Sequence, residues 1–124
     1  MESGTVFALS MVALGGALGA LVRYGFTKVI DTSEFPWATF VVNLIACTLA
    51  SFVVFGFTGR MNEMVRCLMV VGFFGAMSTM STFTTESVRF LFDSEYGRFA
   101  LNVVLNVGVC LVGAIIGREL SLLV

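Results

Sequence analysis

The 124-residue sequence has no histidine, a single proline and few charged residues. Charged side chains make up 12% of the chain, about half of their usual share in soluble domains. The formal net charge is −1. The chain therefore has no imidazole that titrates near neutral pH and no basic surface for nucleic acid. We predict neither histidine-based acid–base catalysis nor a nucleic-acid partner.

Reactive and metal-binding motifs are also missing. The three cysteines, Cys47, Cys67 and Cys110, contain no Cys-x-x-Cys pair, which argues against a zinc site. Their odd number argues against a disulfide framework. The sequence contains no recognisable nucleophile–base pair, phosphate-binding loop or cluster of metal ligands. We predict that the protein is not an enzyme and that the cysteines fill apolar space.

The sequence has instead four long stretches without a charged residue. Because about 20 apolar residues are enough for a helix to cross a bilayer, we predict an all-α integral membrane protein with one four-helix domain over residues 1–124. No cation precedes the first stretch, so we expect it to be retained rather than removed as a signal peptide. The uncharged stretches are Ser3–Val22, Phe35–Gly59, Cys67–Thr85 and Phe99–Gly117. The predicted spans cover about residues 5–28, 37–58, 65–92 and 98–120.

The third span differs from the others because hydroxyl side chains crowd its middle. Of the eight residues from Ser78 to Thr85, all but Met80 and Phe83 are serine or threonine. Such a segment forms a continuous helix poorly, so we predict a break near residues 75–81. Freed carbonyls at a break can bind a cation, and hydroxyls can bind an anion. The alternative is an uninterrupted helix whose hydroxyls bond back to its own carbonyls.

Three asparagines lie inside the uncharged stretches. Asn43 shares one helical stripe with Thr39 and Cys47, and Asn102 and Asn106 are one turn apart. An amide that faces lipid leaves its donors and acceptors unpaired, so such side chains have a partner or a function. Two interpretations remain open: hydrogen bonds that hold the helices together, or a polar track through the membrane.

The cations that flank the spans give almost no preference for either orientation in the membrane. One side carries three cations and the other four, and near-balance predicts insertion in both orientations. Two such copies can pair antiparallel, and eight helices can enclose a pathway that four cannot. A single orientation set by Lys28 or by a loop is the alternative. Arg60, Arg66 and Arg118 lie on one side, and Arg23, Lys28, Arg89 and Arg98 on the other.

Arg23 follows the first uncharged stretch and precedes Tyr24. One interpretation is an interfacial anchor, in which the arginine extends to the membrane surface beside a tyrosine. The other is a source of positive potential that draws anions into a vestibule. The sequence leaves both open.

Three runs of the sequence together resemble the Fluc/CrcB family of fluoride channels. They are Gly15–Tyr24, Ala38–Asn43 and the hydroxyl-rich third span that ends at Glu86, and the resemblance covers all four spans. It implies a passive, fluoride-selective channel that exports fluoride across the plasma membrane. It also implies an antiparallel, dual-topology dimer with two fluoride pathways and a structural sodium ion at its centre.

The resemblance further implies roles for individual residues. Asn43 would hydrogen-bond fluoride, and Phe83 would present the positive edge of its ring to the anion. The backbone carbonyls of Gly75 and Ser78 would hold sodium, each contributed twice by the dimer. Arg23 would lie near a vestibule. The remaining pathway residues that it implies are Thr39, Met80, Ser81, Thr82, Glu86, Asn102 and Asn106.

The sequence departs from the family pattern at three places. Met80 stands where the family usually has phenylalanine, and its thioether offers no comparable edge to an anion. Ala76 and Ala46 replace two usual glycines. A non-conducting or partner subunit of a heterodimeric fluoride channel is therefore an alternative. A proton-coupled exporter of the small multidrug resistance kind is a third hypothesis, but Ser3–Val22 lacks the carboxylate that it needs.

Overall fold

The computed structural model describes residues 3–124 and contains four helical segments that are long and apolar enough to cross a membrane. No strand occurs among these described residues. The predicted all-α architecture with four spans is confirmed. The segments are Ser3–Val29 (α1), Trp37–Gly56 (α2), Glu63–Phe92, and Tyr96–Ser121 (α5).

The third segment is interrupted at Ser78 and Thr79. Residues 63–77 (α3) and Met80–Phe92 (α4) are helical on either side. Between them the backbone is extended, with φ and ψ of −77° and 157° at Ser78 and −148° and 115° at Thr79. The Thr79 hydroxyl accepts the Thr82 N–H at 3.2 Å and so caps the first turn of α4. The predicted break is confirmed, and an uninterrupted helix is excluded.

The hydroxyls that follow the break behave as the alternative interpretation expected. Thr84, Thr85 and Ser87 each donate to the carbonyl four residues earlier, at 2.8 to 2.9 Å. Such bonds satisfy a hydroxyl within its own helix. The predicted break therefore describes Ser78 and Thr79, and the predicted bonds from hydroxyls to carbonyls of the same helix describe the regular helix that follows.

Two of the segments contain π-helical stretches that the sequence did not predict. Cys67–Phe74 lies in α3 just before the break, and Val104–Val109 lies in the middle of α5. A π-helical turn is wider than an α-helical one and shifts the direction of the side chains that follow. Asn106 lies inside the second stretch.

The helices pack as two close pairs, α1 against α3 and α2 against α5. Glycines permit this approach: a methyl group at Gly15 would collide with the backbone carbonyl of Leu68, and one at Gly117 with that of Thr48. Small residues let membrane helices come close enough for van der Waals contact along their backbones. The two pairs bring the break and the polar face of α5 beside α2.

The connectors between the four spans are short, so successive spans run antiparallel. In the first connector, Asp31 Oδ1 accepts the N–H of Ser33 at 2.9 Å. This hydrogen bond holds the pKa of Asp31 below its ordinary value. Gly59 and Ser94 have positive φ, 82° and 61°, in the second and third connectors.

Candidate functional site

Asn43 on α2 stabilises the extended backbone at the break through two hydrogen bonds to Thr79. Its Oδ1 accepts the Thr79 N–H at 2.7 Å, and its Nδ2 donates to the Thr79 carbonyl at 3.2 Å. A break in a membrane helix frees such backbone groups, which lipid cannot satisfy. The buried amide of Asn43 therefore supplies the partners that Thr79 lacks in the extended conformation.

The same amide begins a series of hydrogen bonds between helices. Asn43 Nδ2 also donates to Asn106 Oδ1 at 2.8 Å, and Asn106 Nδ2 donates to the backbone carbonyl and Oδ1 of Asn102, both at 3.0 Å. Asn102 is fully buried and donates to Ser87 Oγ at 3.0 Å. We call Asn43, Asn106, Asn102 and Ser87 the amide ladder. Within one chain its geometry favours the first interpretation of the three asparagines, hydrogen bonds that hold the helices together.

A second set of polar groups faces open space. A cavity of about 230 Å³, which we call the Arg23 cavity, reaches from α1 to the break. Arg23 forms no ion pair within residues 3–124. Thr82 accepts from the Thr79 hydroxyl at 3.0 Å, and its own hydroxyl hydrogen has no acceptor in the described part of the chain. The lining residues are Ala20, Arg23, Tyr24, Thr27, Thr39, Val42, Thr79 and Thr82.

Thr39 connects the Arg23 cavity to a second one. Its hydroxyl donates to Glu86 Oε2 at 2.7 Å. Glu86 lines a cavity of about 270 Å³ together with Arg89, here called the Glu86 cavity. Glu86 Oε1 is buried and has no hydrogen-bond partner among the described residues. The helical segment that contains this carboxylate, Glu63–Phe92, extends beyond the uncharged stretch Cys67–Thr85.

A third cavity, of about 190 Å³, lies on the other side of the break and is here called the Met80 cavity. Phe83 is 7% exposed, whereas Met80 is 72% exposed. Met80 therefore has little to contact within its own chain. Because Thr79 lines this cavity and the Arg23 cavity, the break separates the two. The lining residues are Asn43, Cys47, Ser78, Thr79, Met80, Phe83, Asn106 and Val107.

The remaining predicted site residues lie at the break itself. The carbonyl oxygens of Gly75 and Ser78 accept no hydrogen bond within residues 3–124, because the helix ends before it supplies their partners. Ser81 Oγ lies 3.4 Å from Thr79 Oγ1. Free carbonyl oxygens are ligands for hard cations. No group of three or more histidine, cysteine or acidic side chains that could hold a metal occurs in the described chain.

Comparisons with known proteins identify the family. The profile of the family described as "CrcB-like protein, Camphor Resistance (CrcB)" matches residues 10–118. The chain belongs to the CrcB family. A relative named "Fluoride-specific ion channel FluC" in Ignicoccus hospitalis is 37% identical over 116 residues, which cover 92% of this chain and 94% of that protein.

Two further CrcB relatives carry the same name. The protein of Methanococcus aeolicus is 34% identical over 92% of this chain and 94% of its own length. That of Shewanella halifaxensis is 35% identical over 88% of this chain and 91% of its own length. These matches confirm the resemblance found in the sequence. As a CrcB member with four apolar helices, the chain is a multi-pass membrane protein.

Two residues that contact predicted site residues, Thr79 and Ser87, were not predicted from the sequence. Thr79 lies within the hydroxyl-rich run, but the run does not say which hydroxyl ends the break. Its position three residues before Thr82 fits a helix cap and is the signal that could have found it. Ser87 follows Glu86 and lies outside the uncharged stretch, so only the contact with Asn102 identifies it.

Proposed function

We propose that this CrcB protein is a passive, fluoride-selective channel that exports fluoride across the plasma membrane. The observation that carries the proposal is its 34–37% identity, over nearly the whole chain, to relatives named as fluoride-specific ion channels. The geometry supports it, because the cavities beside the break contain groups that attract an anion. No bond is made or broken in such a process, so the proposed function is not enzymatic.

We place the anion path through the Arg23 cavity, on the side of the break where the hydroxyl of Thr82 lies. A halide that enters the Arg23 cavity meets the guanidinium of Arg23 and the free hydroxyl of Thr82, with Ser81 nearby. Hydroxyl donors and a positive charge replace part of its hydration shell. The hydrogen bond from Thr39 to Glu86 then lies between this cavity and the Glu86 cavity, so passage requires that contact to rearrange.

The amide ladder enters this proposal in a different way. Asn43 already directs both amide hydrogens to Thr79 and Asn106, so it hydrogen-bonds fluoride only if one of these contacts opens. The same holds for Asn106, whose amide nitrogen donates to two acceptors of Asn102. The Asn102 amide nitrogen donates only to Ser87, but Asn102 is fully buried, so an anion reaches it only if its surroundings open. Phe83 lines the Met80 cavity, on the other side of the break from this path, so its ring edge would contact the anion only in a second branch of the path through that cavity.

We further propose that two copies pair antiparallel and that Met80 lies at their interface. The near-equal numbers of cations on the two sides support dual topology. The Met80 cavity opens to the outside of the chain beside a 72% exposed methionine, which a second copy would cover.

Dual topology can be tested by labelling from one side of the membrane. A variant with its three native cysteines replaced by serine receives Thr58→Cys in the second connector. We expect an impermeant maleimide to modify about half of the chains in sealed cells, as equal populations of the two orientations require. Lysed cells, in which the reagent reaches both sides of the membrane, give the value for complete labelling. Complete labelling in sealed cells, or no labelling in sealed cells, would exclude dual topology.

The free carbonyls of Gly75 and Ser78 fit the proposed sodium site, since each lacks a hydrogen-bond partner in the described chain. A bound sodium ion would supply positive charge beside the break. Melting temperatures of the purified protein in sodium and in N-methylglucamine test this proposal. We expect a higher value in sodium, and equal values would argue against the site.

Fluoride efflux from liposomes tests the function directly. Vesicles that contain the purified protein are expected to release fluoride and to retain chloride, whereas protein-free vesicles retain both. Equal release of the two halides, or no fluoride release from a folded and monodisperse sample, would refute the proposal. The multidrug-type exporter is not favoured, because the relatives are named as fluoride channels.

The alternative of a partner subunit predicts a different result in the same assay. The chain alone would then be folded but silent, and the substitution Met80→Phe or a second, similar four-span subunit would restore flux. We favour the homodimer, and the wild-type measurement separates the two.

A further inference from the structure

The alignment of α2 and α5 brings two cysteines together inside the membrane. Asn43 on α2 bonds to Asn106 on α5, and eight residues further along each helix the Ser51 hydroxyl donates to the Ala114 carbonyl at 2.6 Å. The positions midway between these two contacts are Cys47 and Cys110. The hydrogen bonds on either side of them therefore bring these two cysteines close together between α2 and α5.

These two thiols form a pair that no other part of the described chain repeats. Cys110 is buried, with 3% of its surface exposed, and Cys47 is half-buried and lines the Met80 cavity. The third cysteine, Cys67, lies on a different segment and donates to Glu63 Oε1 at 3.6 Å. Of the pair, Cys47 is thus accessible from a cavity, whereas Cys110 is buried.

We propose that Cys47 and Cys110 form a two-coordinate site for a soft, thiophilic divalent metal ion such as Hg²⁺. Thiolates are the ligands that soft ions select. On binding, each thiol loses its proton, two metal–sulfur bonds form, two protons leave through the cavity, and no electron is transferred. A divalent ion with two thiolates is electrically neutral, so the complex avoids the high cost of a net charge at membrane depth.

The same chemistry excludes the commoner structural metal. Zinc needs four ligands, and residues 3–124 contain no cluster of three or more cysteine, histidine or acidic side chains. Met80 lines the same cavity as Cys47, and its thioether is a further soft group near the entrance. The site therefore favours ions that accept two sulfur ligands.

Binding at this pair would affect ion flux if the proposed function is correct. Cys47 lies one helical turn from Asn43, and Cys110 one turn from Asn106, so a bound ion ties α2 to α5 next to the amide ladder. It also occupies space at the edge of the Met80 cavity. We expect Hg²⁺ to stop fluoride release through the wild-type channel.

The site is tested in a Cys67→Ser background, which leaves the pair intact. The purified variant is given one equivalent of Hg²⁺ in the presence of a competing monothiol, and the bound metal and the remaining free thiols are counted. We expect one ion and the loss of two thiols per chain. The variants Cys47→Ser and Cys110→Ser in the same background are expected to bind roughly 100-fold more weakly, because they lose the chelate.

The outcomes separate the site from the proposed function. Equal retention of Hg²⁺ by the pair and by both single-thiol variants would overturn the site, as would two free thiols remaining in the loaded protein. Loss of fluoride release on Hg²⁺ addition, in the Cys67→Ser protein and in neither single-thiol variant, would support the effect on flux, and full flux in the loaded protein would overturn it. An absence of fluoride flux before any metal is added would refute the channel, and the thiol count would still test the site.

Discussion

The amide ladder and the Arg23 cavity lie on either side of Thr79 and use their polar groups in opposite ways. In the ladder, Asn43 and Asn106 direct their amide N–H groups to acceptors inside the chain. Around the cavity, Arg23 has no ion pair and Thr82 has a free hydroxyl hydrogen within the described residues. Polar groups in one membrane protein therefore divide into those that hold helices and those that remain available to an ion.

The difference follows from what each group must satisfy. An amide in hydrocarbon needs two donors and one acceptor paired, which favours contacts that are complete within the fold. A hydroxyl can accept a hydrogen bond, as Thr82 does from Thr79, and still direct its single hydrogen toward a cavity. The hydroxyls that line the Arg23 cavity can thus exchange hydrogen-bond partners at a lower cost in free energy than the amides of the ladder can.

The strongest test of this comparison is the substitution Asn43→Ala. It leaves the N–H and the carbonyl of Thr79 unpaired, each at about 1–3 kcal/mol, so we expect the protein to lose about 2–6 kcal/mol of stability. Fluoride release should be abolished because the break collapses. Thermal unfolding in detergent and liposome efflux measure the two effects.

The matched control for that test is Thr48→Ala on the same helix, which adds no bulk to the close contact with Gly113. The Thr48 hydroxyl bonds only to the Leu44 carbonyl of its own helix, at 2.8 Å. We expect near wild-type stability and flux. An Asn43→Ala protein that melts like this control would contradict the assigned role of the ladder.

The next effect should come from Arg23→Gln, which removes the charge of the cavity and leaves the ladder intact. We expect roughly tenfold slower fluoride release, with a difference that shrinks as ionic strength rises. Lys28→Gln is the control, because it removes a positive charge from the same helix at a residue that does not line the Arg23 cavity. The Lys28 Nζ lies 5.2 Å from the centroid of the Tyr24 ring. Equal rates in both variants would assign Arg23 to interfacial anchoring.

The end of the ladder predicts a smaller effect that is confined to stability. Ser87→Ala removes the acceptor of Asn102 and should cost about 1 kcal/mol of unfolding free energy with little change in flux. Thr84→Ala removes an exposed hydroxyl with the same kind of bond to its own helix, at 2.8 Å, and should be nearly neutral. A loss of flux without a loss of stability in Ser87→Ala would place this residue on the pathway.

The smallest effect expected is that of Met80→Phe. The side chain is 72% exposed, so monomer stability should change by less than about 0.5 kcal/mol. A phenyl edge gives an anion a better contact than a thioether, so we expect roughly threefold faster fluoride release. Slower release would mean that Met80 suits the pathway of this chain better than phenylalanine does.

Part of the site followed from the sequence because its signals are local. The hydroxyl-rich run predicted the break to within a few residues, and the cost of intramembrane amides singled out Asn43, Asn102 and Asn106. The contact of Asn106 with Asn102 agrees with their spacing of one turn. The contact of Asn43 with Asn106 did not follow from the sequence, because it depends on how α2 and α5 are aligned.

Hydropathy and chain length by themselves determined that this protein crosses the membrane four times, because the transfer free energy of a span is a sum over its own residues. The sequence motifs likewise determined the CrcB family. Only the tertiary structure decided that Asn43 bonds to Thr79, that Thr39 bonds to Glu86, and that Cys47 and Cys110 lie between the same two contacts of α2 with α5. These contacts depend on the rotation and alignment of neighbouring helices, which glycine contacts and π-helical turns set together and no single segment encodes.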